Sequence, residues 1–166
     1  SLGGDTGVRP SVPPSPDGEV QPPPSRPSVP PTGRPTTPAV PDKTSLSEEE
    51  LYNFSKEALD KNDYEAARDG FQKLLKSYPR SKWADSAQFW IGDSYYRQKW
   101  YEKAILEYQT VIEKYPKGNK VKSALLKQGL SFLEIGDKAN GRLILQELVQ
   151  KFPNSDEARA AKQKLK

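Results

Sequence analysis

The chain has 166 residues, a formal net charge of +4, and no Cys, His or Met. Without Cys or His there is no disulfide, no zinc centre built on those ligands and no nucleophile–histidine pair. No apolar run approaches the ~20 residues a membrane-crossing helix needs. The missing Met marks a mature or trimmed fragment, and a chain free of cysteine suits a reducing cytosol and a bacterial periplasm alike.

Residues 1–45 and 46–166 differ in composition. Thirteen of the sixteen prolines lie between Pro10 and Pro41, and the first segment holds no aromatic residue. It cannot bury enough surface to offset the chain entropy of about 1–2 kcal/mol per residue. Runs such as Pro22-Pro23-Pro24 predict a disordered, semi-extended linker of polyproline II character. Pro-x-x-Pro spacing leaves an SH3 or WW ligand as the rival reading. The net charge belongs to the second segment, mostly at its end, where Lys151, Arg159, Lys162, Lys164 and Lys166 face only Asp156 and Glu157. That is the solvated end of a helix rather than the broad basic stripe of a nucleic-acid binder.

From residue 46 the chain keeps a beat of 37 residues. Tyr78-Pro79, Tyr115-Pro116 and Phe152-Pro153 are evenly spaced, as are Ala67, Ala104 and Gly141, and Phe71, Tyr108 and Leu145. The first helix is expected over 48–61. Ser47 and Glu50 form a capping box, flanked by Leu46 and Leu51 as a staple. The box accounts for the acidic triplet Glu48, Glu49 and Glu50, which is therefore no metal or acid–base site. Asp63 caps a second helix over 64–77, with Tyr64, Ala67, Phe71 and Leu74 on one face. Pro79 ends it. The second unit is expected to start at Ser81 or Lys82, run to Gln98, and continue from Tyr101 to Pro116. The third runs over 119–135, breaks at Gly136-Asp137, and continues to Phe152. A last helix over 155–165 has no partner after it and caps the stack with a Lys-rich face. Gly92 and Gly129 on first helices, with Ala67, Ala104 and Gly141 on second helices, allow close crossings. The fold is therefore all-α, a solenoid of three helix pairs (about 47–80, 81–117 and 118–154) plus a capping helix. Trp83, Trp90 and Trp100, all in the second unit, are expected at seams and in the loop, with Trp100 as a surface platform in a rival reading.

These positions resemble the tetratricopeptide repeat. The sets are Leu51, Phe54, Ser55, Ala58, Tyr64, Ala67, Phe71, Pro79; Gln88, Ile91, Gly92, Tyr95, Tyr101, Ala104, Tyr108, Pro116; and Leu125, Gln128, Gly129, Phe132, Lys138, Gly141, Leu145, Pro153. The third departs most, with Gln128 in an apolar place and Lys138 in that of a tyrosine. The runs Tyr52-Asn53, Phe89-Trp90-Ile91-Gly92-Asp93, Tyr78-Pro79-Arg80-Ser81 and the close at 158–165 look like the C-terminal domain of the Tol-Pal-associated YbgF family, also called the cell division coordinator CpoB. That resemblance implies a periplasmic protein of Gram-negative bacteria that binds TolA and coordinates peptidoglycan synthesis with outer-membrane constriction. It implies a homotrimer through a coiled coil absent here, this fragment alone being monomeric. Peptidoglycan synthase machinery is a further implied partner, with no nucleic acid and no membrane insertion.

By the same resemblance the first helices line a concave face. The implied partner-binding residues are Tyr52, Lys56 and Leu59; Phe89, Asp93, Tyr96 and Arg97; and Leu126, Leu130 and Leu133. Such an amphipathic set suits a helix or an extended peptide, although the three leucines would equally pack against the capping helix. No phosphate loop is present, since Gly3-Gly4 and Gly7 precede no helix. The expected function is a non-enzymatic scaffold without cofactor or metal. The alternatives are a repeat-containing lipoprotein of an outer-membrane protein assembly complex, whose lipidated cysteine would lie upstream, and a helical-repeat RNA binder, whose affinity would fall steeply with salt.

Overall fold

The computed structural model describes residues 45–166, so the Pro-rich segment lies outside the described residues. Seven helices and no strand are present among them. They are α1 Glu48–Asp60, α2 Tyr64–Ser77, α3 Ala84–Arg97, α4 Tyr101–Lys114, α5 Val121–Glu134, α6 Lys138–Lys151 and α7 Asp156–Leu165. Each helix packs mainly on its chain neighbours. Among the first helices, α3 also approaches α5, and α5 approaches α7. No comparable approach links α2 with α4 or α4 with α6. The stack therefore curves toward its first helices.

The caps form where local chemistry places them. Ser47 accepts from the Glu50 amide at 3.2 Å, and the Glu50 carboxylate accepts from the Ser47 amide at 2.9 Å. These bonds hold the Glu50 carboxyl below its ordinary pKa. Asp63, Asp137 and Ser155 cap α2, α6 and α7. Leu51 is buried whereas Leu46 stays exposed, its carbonyl accepting from the Tyr78 hydroxyl at 2.9 Å. Tyr78, Tyr115 and Phe152 end their helices at φ of −131°, −126° and −133°, outside the helical region that a following proline disfavours.

Two starts differ from the sequence expectation. α3 begins at Ala84 and α5 at Val121, two or three residues late. The Ser81 hydroxyl accepts from the Trp83 amide at 3.1 Å and so completes a turn instead of capping a helix. In the next loop the Asp85 carboxylate accepts from the Asn119 amide at 3.1 Å. These turns absorb the added length of the 37-residue repeat.

The hairpins close through shape. A Cβ on Gly92 would lie 2.8 Å from the fully buried Tyr108 ring, and one on Gly129 would lie 2.7 Å from Leu145. Gly141 stands equally close to Leu133. In the first unit Ser55 takes the register of Gly92 and Gly129, and Gly70 supplies the space against its side chain. Between first and second helices of a unit, Asn62, Lys99 and Gly136 share one position and one left-handed conformation, with φ of 61°, 63° and 85°.

Three predictions follow from this backbone and its packing. Lys99 sits where only Gly is unstrained, at a cost of about 1–2 kcal/mol, so Lys99→Gly is expected to raise stability in urea unfolding by roughly 1 kcal/mol. Gly136→Ala is expected to lower it by a similar amount, although nothing lies within 4 Å of the added carbon. Gly92→Ala meets the opposite problem. Overpacking against Tyr108 costs about 1–3 kcal/mol, more than the ~1 kcal/mol gained in helix propensity, and the same unfolding assay should register a net loss.

Candidate functional site

The first-helix face is built from aromatic rings with cations laid over them. Tyr52 on α1 stacks on Trp83 with centroids 4.5 Å apart and meets Phe71 edge-on at 5.9 Å. Its hydroxyl accepts from the Trp90 indole at 3.1 Å, which ties the first unit to the second. The Lys56 ammonium lies 3.8 Å from the Trp90 ring centroid and 3.7 Å from the Asp60 carboxylate. Lys120 also approaches Trp90 at 4.8 Å and Phe89 at 5.1 Å. Trp90 thus has lysines from two other units over its ring, a cation–π arrangement strengthened by partial burial.

On this face a carboxylate of the second unit gathers cations from the second and third units. Asp93 is 4% exposed and accepts from Arg97 Nε at 2.7 Å, with Lys127 Nζ at 3.5 Å. A buried carboxylate needs such partners. Lys127 also lies 4.2 Å from the Tyr96 centroid, and Tyr96 meets Tyr101 edge-on. Burial first, then the charge of Glu134, raises the Tyr96 hydroxyl above its ordinary pKa. Deeper still, Tyr108 is held strongly in its neutral form by burial. Gln128 is 2% exposed, and its amide donates to the Gln109 carbonyl oxygen at 2.7 Å and to the Ile105 carbonyl at 3.3 Å. Its place in an apolar register is thereby explained: it bonds α5 to α4.

The ten residues anticipated for the face are not equivalent. Tyr52, Lys56, Tyr96, Arg97, Leu126 and Leu130 keep partial or full exposure. Leu59 departs from the expectation, for its side chain is wholly buried in the first core cluster and no partner can reach it. Phe89 is 4% exposed, covered by Trp90, Tyr108 and Lys120, so it is a floor under the face. Asp93 is similarly enclosed. Leu133 packs against the third cluster and against Gly141 of α6. Leu126 is partly buried in the same cluster. The column Leu59, Tyr96, Leu133 thus turns toward its own second helices; Leu59 is closed off, and Tyr96 and Leu133 keep partial exposure.

Trp90, expected only at a seam, belongs to the face, as do Lys120 and Lys127, which were not singled out from sequence. The repeat beat contained the signal, since Trp90 and Lys127 share one register and Trp83 and Lys120 another. Trp83 and Trp90 fill seams, as expected. Trp100 stacks on Tyr95 at 6.0 Å, with Arg68 over Tyr95 and Lys103 over both rings, yet remains 46% exposed. Among the described residues no group of three His, Cys, Asp or Glu could hold a metal, and no helix is long and apolar enough to cross a membrane.

Comparison with solved structures places the described helices among tetratricopeptide-repeat domains. The N-terminal domain of stress-induced protein-1 from C. elegans is similar at TM-score 0.61 and 13% identity, covering 72% of this chain and 94% of that one. The yeast Sti1 TPR2B domain, in a complex with pHsp70, gives 0.60 and 18%, covering 73% and 94%. The second TPR domain of human RPAP3, in complex with the HSP70 peptide SGPTIEEVD, gives 0.57 and 12%, covering 72% and 98%. At these identities the likeness shows the fold alone. No curated protein sequence matches the chain. One family model matches residues 44–166, which is the whole helical part and most of the chain. The chain belongs to that family, YfiO, described as outer membrane lipoprotein.

Proposed function

We propose that the protein is a non-catalytic scaffold of the Gram-negative periplasm whose first-helix face grips a segment of another protein. The observation that carries this reading is the run Lys56, Trp90, Lys120, Tyr96, Lys127 and Arg97. Three cations, Lys56, Lys120 and Lys127, lie over aromatic rings and Arg97 pairs with Asp93, while the opposing carboxylates are Asp60, Asp93 and Glu134. Such a surface suits a segment with acidic and apolar side chains, the rings supplying area and the cations selecting charge. The acidic peptide held by the human RPAP3 domain supports that mode of use for the fold.

The partner we propose is TolA of the Tol-Pal system, with a role in coordinating peptidoglycan synthesis and outer-membrane constriction at division. The support is the resemblance of the Phe89–Asp93 run and the closing helix to the YbgF family. A second reading, a subunit of an outer-membrane protein assembly complex, is favoured by the family match to an outer membrane lipoprotein.

One experiment separates them. The 166-residue chain is immobilised and offered the helical region of TolA or a detergent-solubilised outer-membrane assembly complex in parallel. TolA retention, weakened at least tenfold by Lys56→Ala with Tyr96→Ala and reduced by added salt, is the expected result. Retention of the assembly complex alone moves the protein to the second reading. Unchanged TolA binding by the double variant, with an unchanged thermal transition, shows that another face is used.

A further inference from the structure

The junction of the first and second units recurs between the second and third, but with different chemistry. At the first, Trp83 stacks on Tyr52 at 4.5 Å. One repeat on, the same two positions are Lys120 and Phe89, and the Lys120 ammonium lies 5.1 Å from the Phe89 ring centroid. An indole keeps its place through the area it buries. A lysine is a strongly hydrated charge on a flexible stem, so its place over a ring depends on how firmly the backbone beneath it is held.

The loops that carry these two residues are held differently. Ser81, Gly118 and Ser155 share one register. The Ser81 hydroxyl accepts from the Trp83 amide at 3.1 Å, and the Ser155 hydroxyl accepts from the Ala158 amide at 3.0 Å. Gly118 has no hydroxyl to offer, and α5 starts without a side-chain cap. The acceptor comes instead from the preceding first helix. Asp85 on α3 accepts from the Ser86 amide at 2.7 Å with one carboxylate oxygen and from the Asn119 amide at 3.1 Å with the other. Gly118 makes room for that carboxylate, since a Cβ there would lie 2.7 Å from it. Gly118 is not among the glycines of positive φ, so space rather than backbone conformation calls for it. Lys82, Lys114 and Lys117 line the same recess, of about 450 Å³. Two roles are therefore open to Asp85: to hold the loop, or to answer those charges.

We propose that Asp85 is a positioning residue for the first-helix face. Through the Asn119 amide it sets the start of α5, and so holds the next residue, Lys120, over Phe89 and Trp90 where the second and third units meet. This role rests on the reading of that face as the binding surface, and Asp85 acts on a partner only through Lys120.

The test uses the full 166-residue chain with isotope-labelled lysine. Ring currents move the Lys120 side-chain protons upfield, and Lys56, 3.8 Å from the centroid of the same Trp90 ring, is the internal reference. Asp85→Ala should shift the Lys120 signals toward those of a free lysine and leave the Lys56 signals in place. Adding Gly118→Ser to Asp85→Ala supplies the hydroxyl that Ser81 uses one repeat earlier, and should restore the Lys120 shift. That double variant lacks the carboxylate, so recovery assigns the role to the hydrogen bond and not to charge. Retention of the helical region of TolA should fall severalfold in Asp85→Ala, with no further loss when Lys120→Ala is added. Lys120 signals indifferent to Asp85→Ala overturn the proposal, and so does an equal displacement of Lys56, which marks a general loosening. A displacement that Gly118→Ser does not reverse overturns it in favour of the charge role. TolA retention unchanged by Asp85→Ala overturns its part in binding. Should no form of the chain retain TolA, the proposed partner falls, while the lysine shifts still decide whether Asp85 places Lys120.

Discussion

Each helical hairpin closes because a bulky side chain meets a position that has almost none. Tyr108 occupies the space that Gly92 leaves, Leu145 that of Gly129, and Leu133 that of Gly141. Interiors are packed too densely to absorb an extra methyl group at such points. The crossing distance of the two helices is fixed there, and with it the direction in which the first helices present their outer residues. The first unit reaches the same geometry by another route, with Ser55 on α1 and the missing side chain at Gly70 on α2.

From that geometry the first-helix face inherits its order. Residues 52, 56 and 59, and their counterparts in the later units, descend three first helices, but only some point outward. The outward ones are tied across units by long side chains. Tyr52 reaches Trp90, Lys120 reaches back to Trp90 and Phe89, and Lys127 reaches back to Asp93 and Tyr96. A partner would thus meet side chains already held in place, which lowers the ordering cost of binding. Asp93 has a double part, since it is buried with two cations and keeps Arg97 and Lys127 from repelling each other.

The architecture was legible in the sequence because a 37-residue beat, proline stops and caps at Ser47, Asp63 and Asp137 all agree. Helix starts after Tyr-Pro were less so, because Ser81 could cap a helix or complete a turn, and only tertiary packing decides. The face was legible as a set of columns but not as a surface. Residues of one column sit at one angle on their helices, yet Leu59 faces a full core, Tyr96 a partial one and Leu133 a glycine. Lys120 and Lys127 were missed because a lysine reads as a solvated charge until the ring beneath it is located. Gln128 was noticed as a departure, but its bonds to Ile105 and Gln109 required the neighbouring helix.

The nearest-neighbour build of the stack also bears on how quickly it can assemble. The side-chain hydrogen bond between Trp90 and Tyr52 spans 38 residues, barely one repeat, and helix contacts run between adjacent or next-but-one elements. Little loop-closure entropy opposes such contacts, and chains of low contact order fold in microseconds to milliseconds. An unfolded chain emerging end first would therefore need only one hairpin's length to begin condensing, well before its last helix arrives.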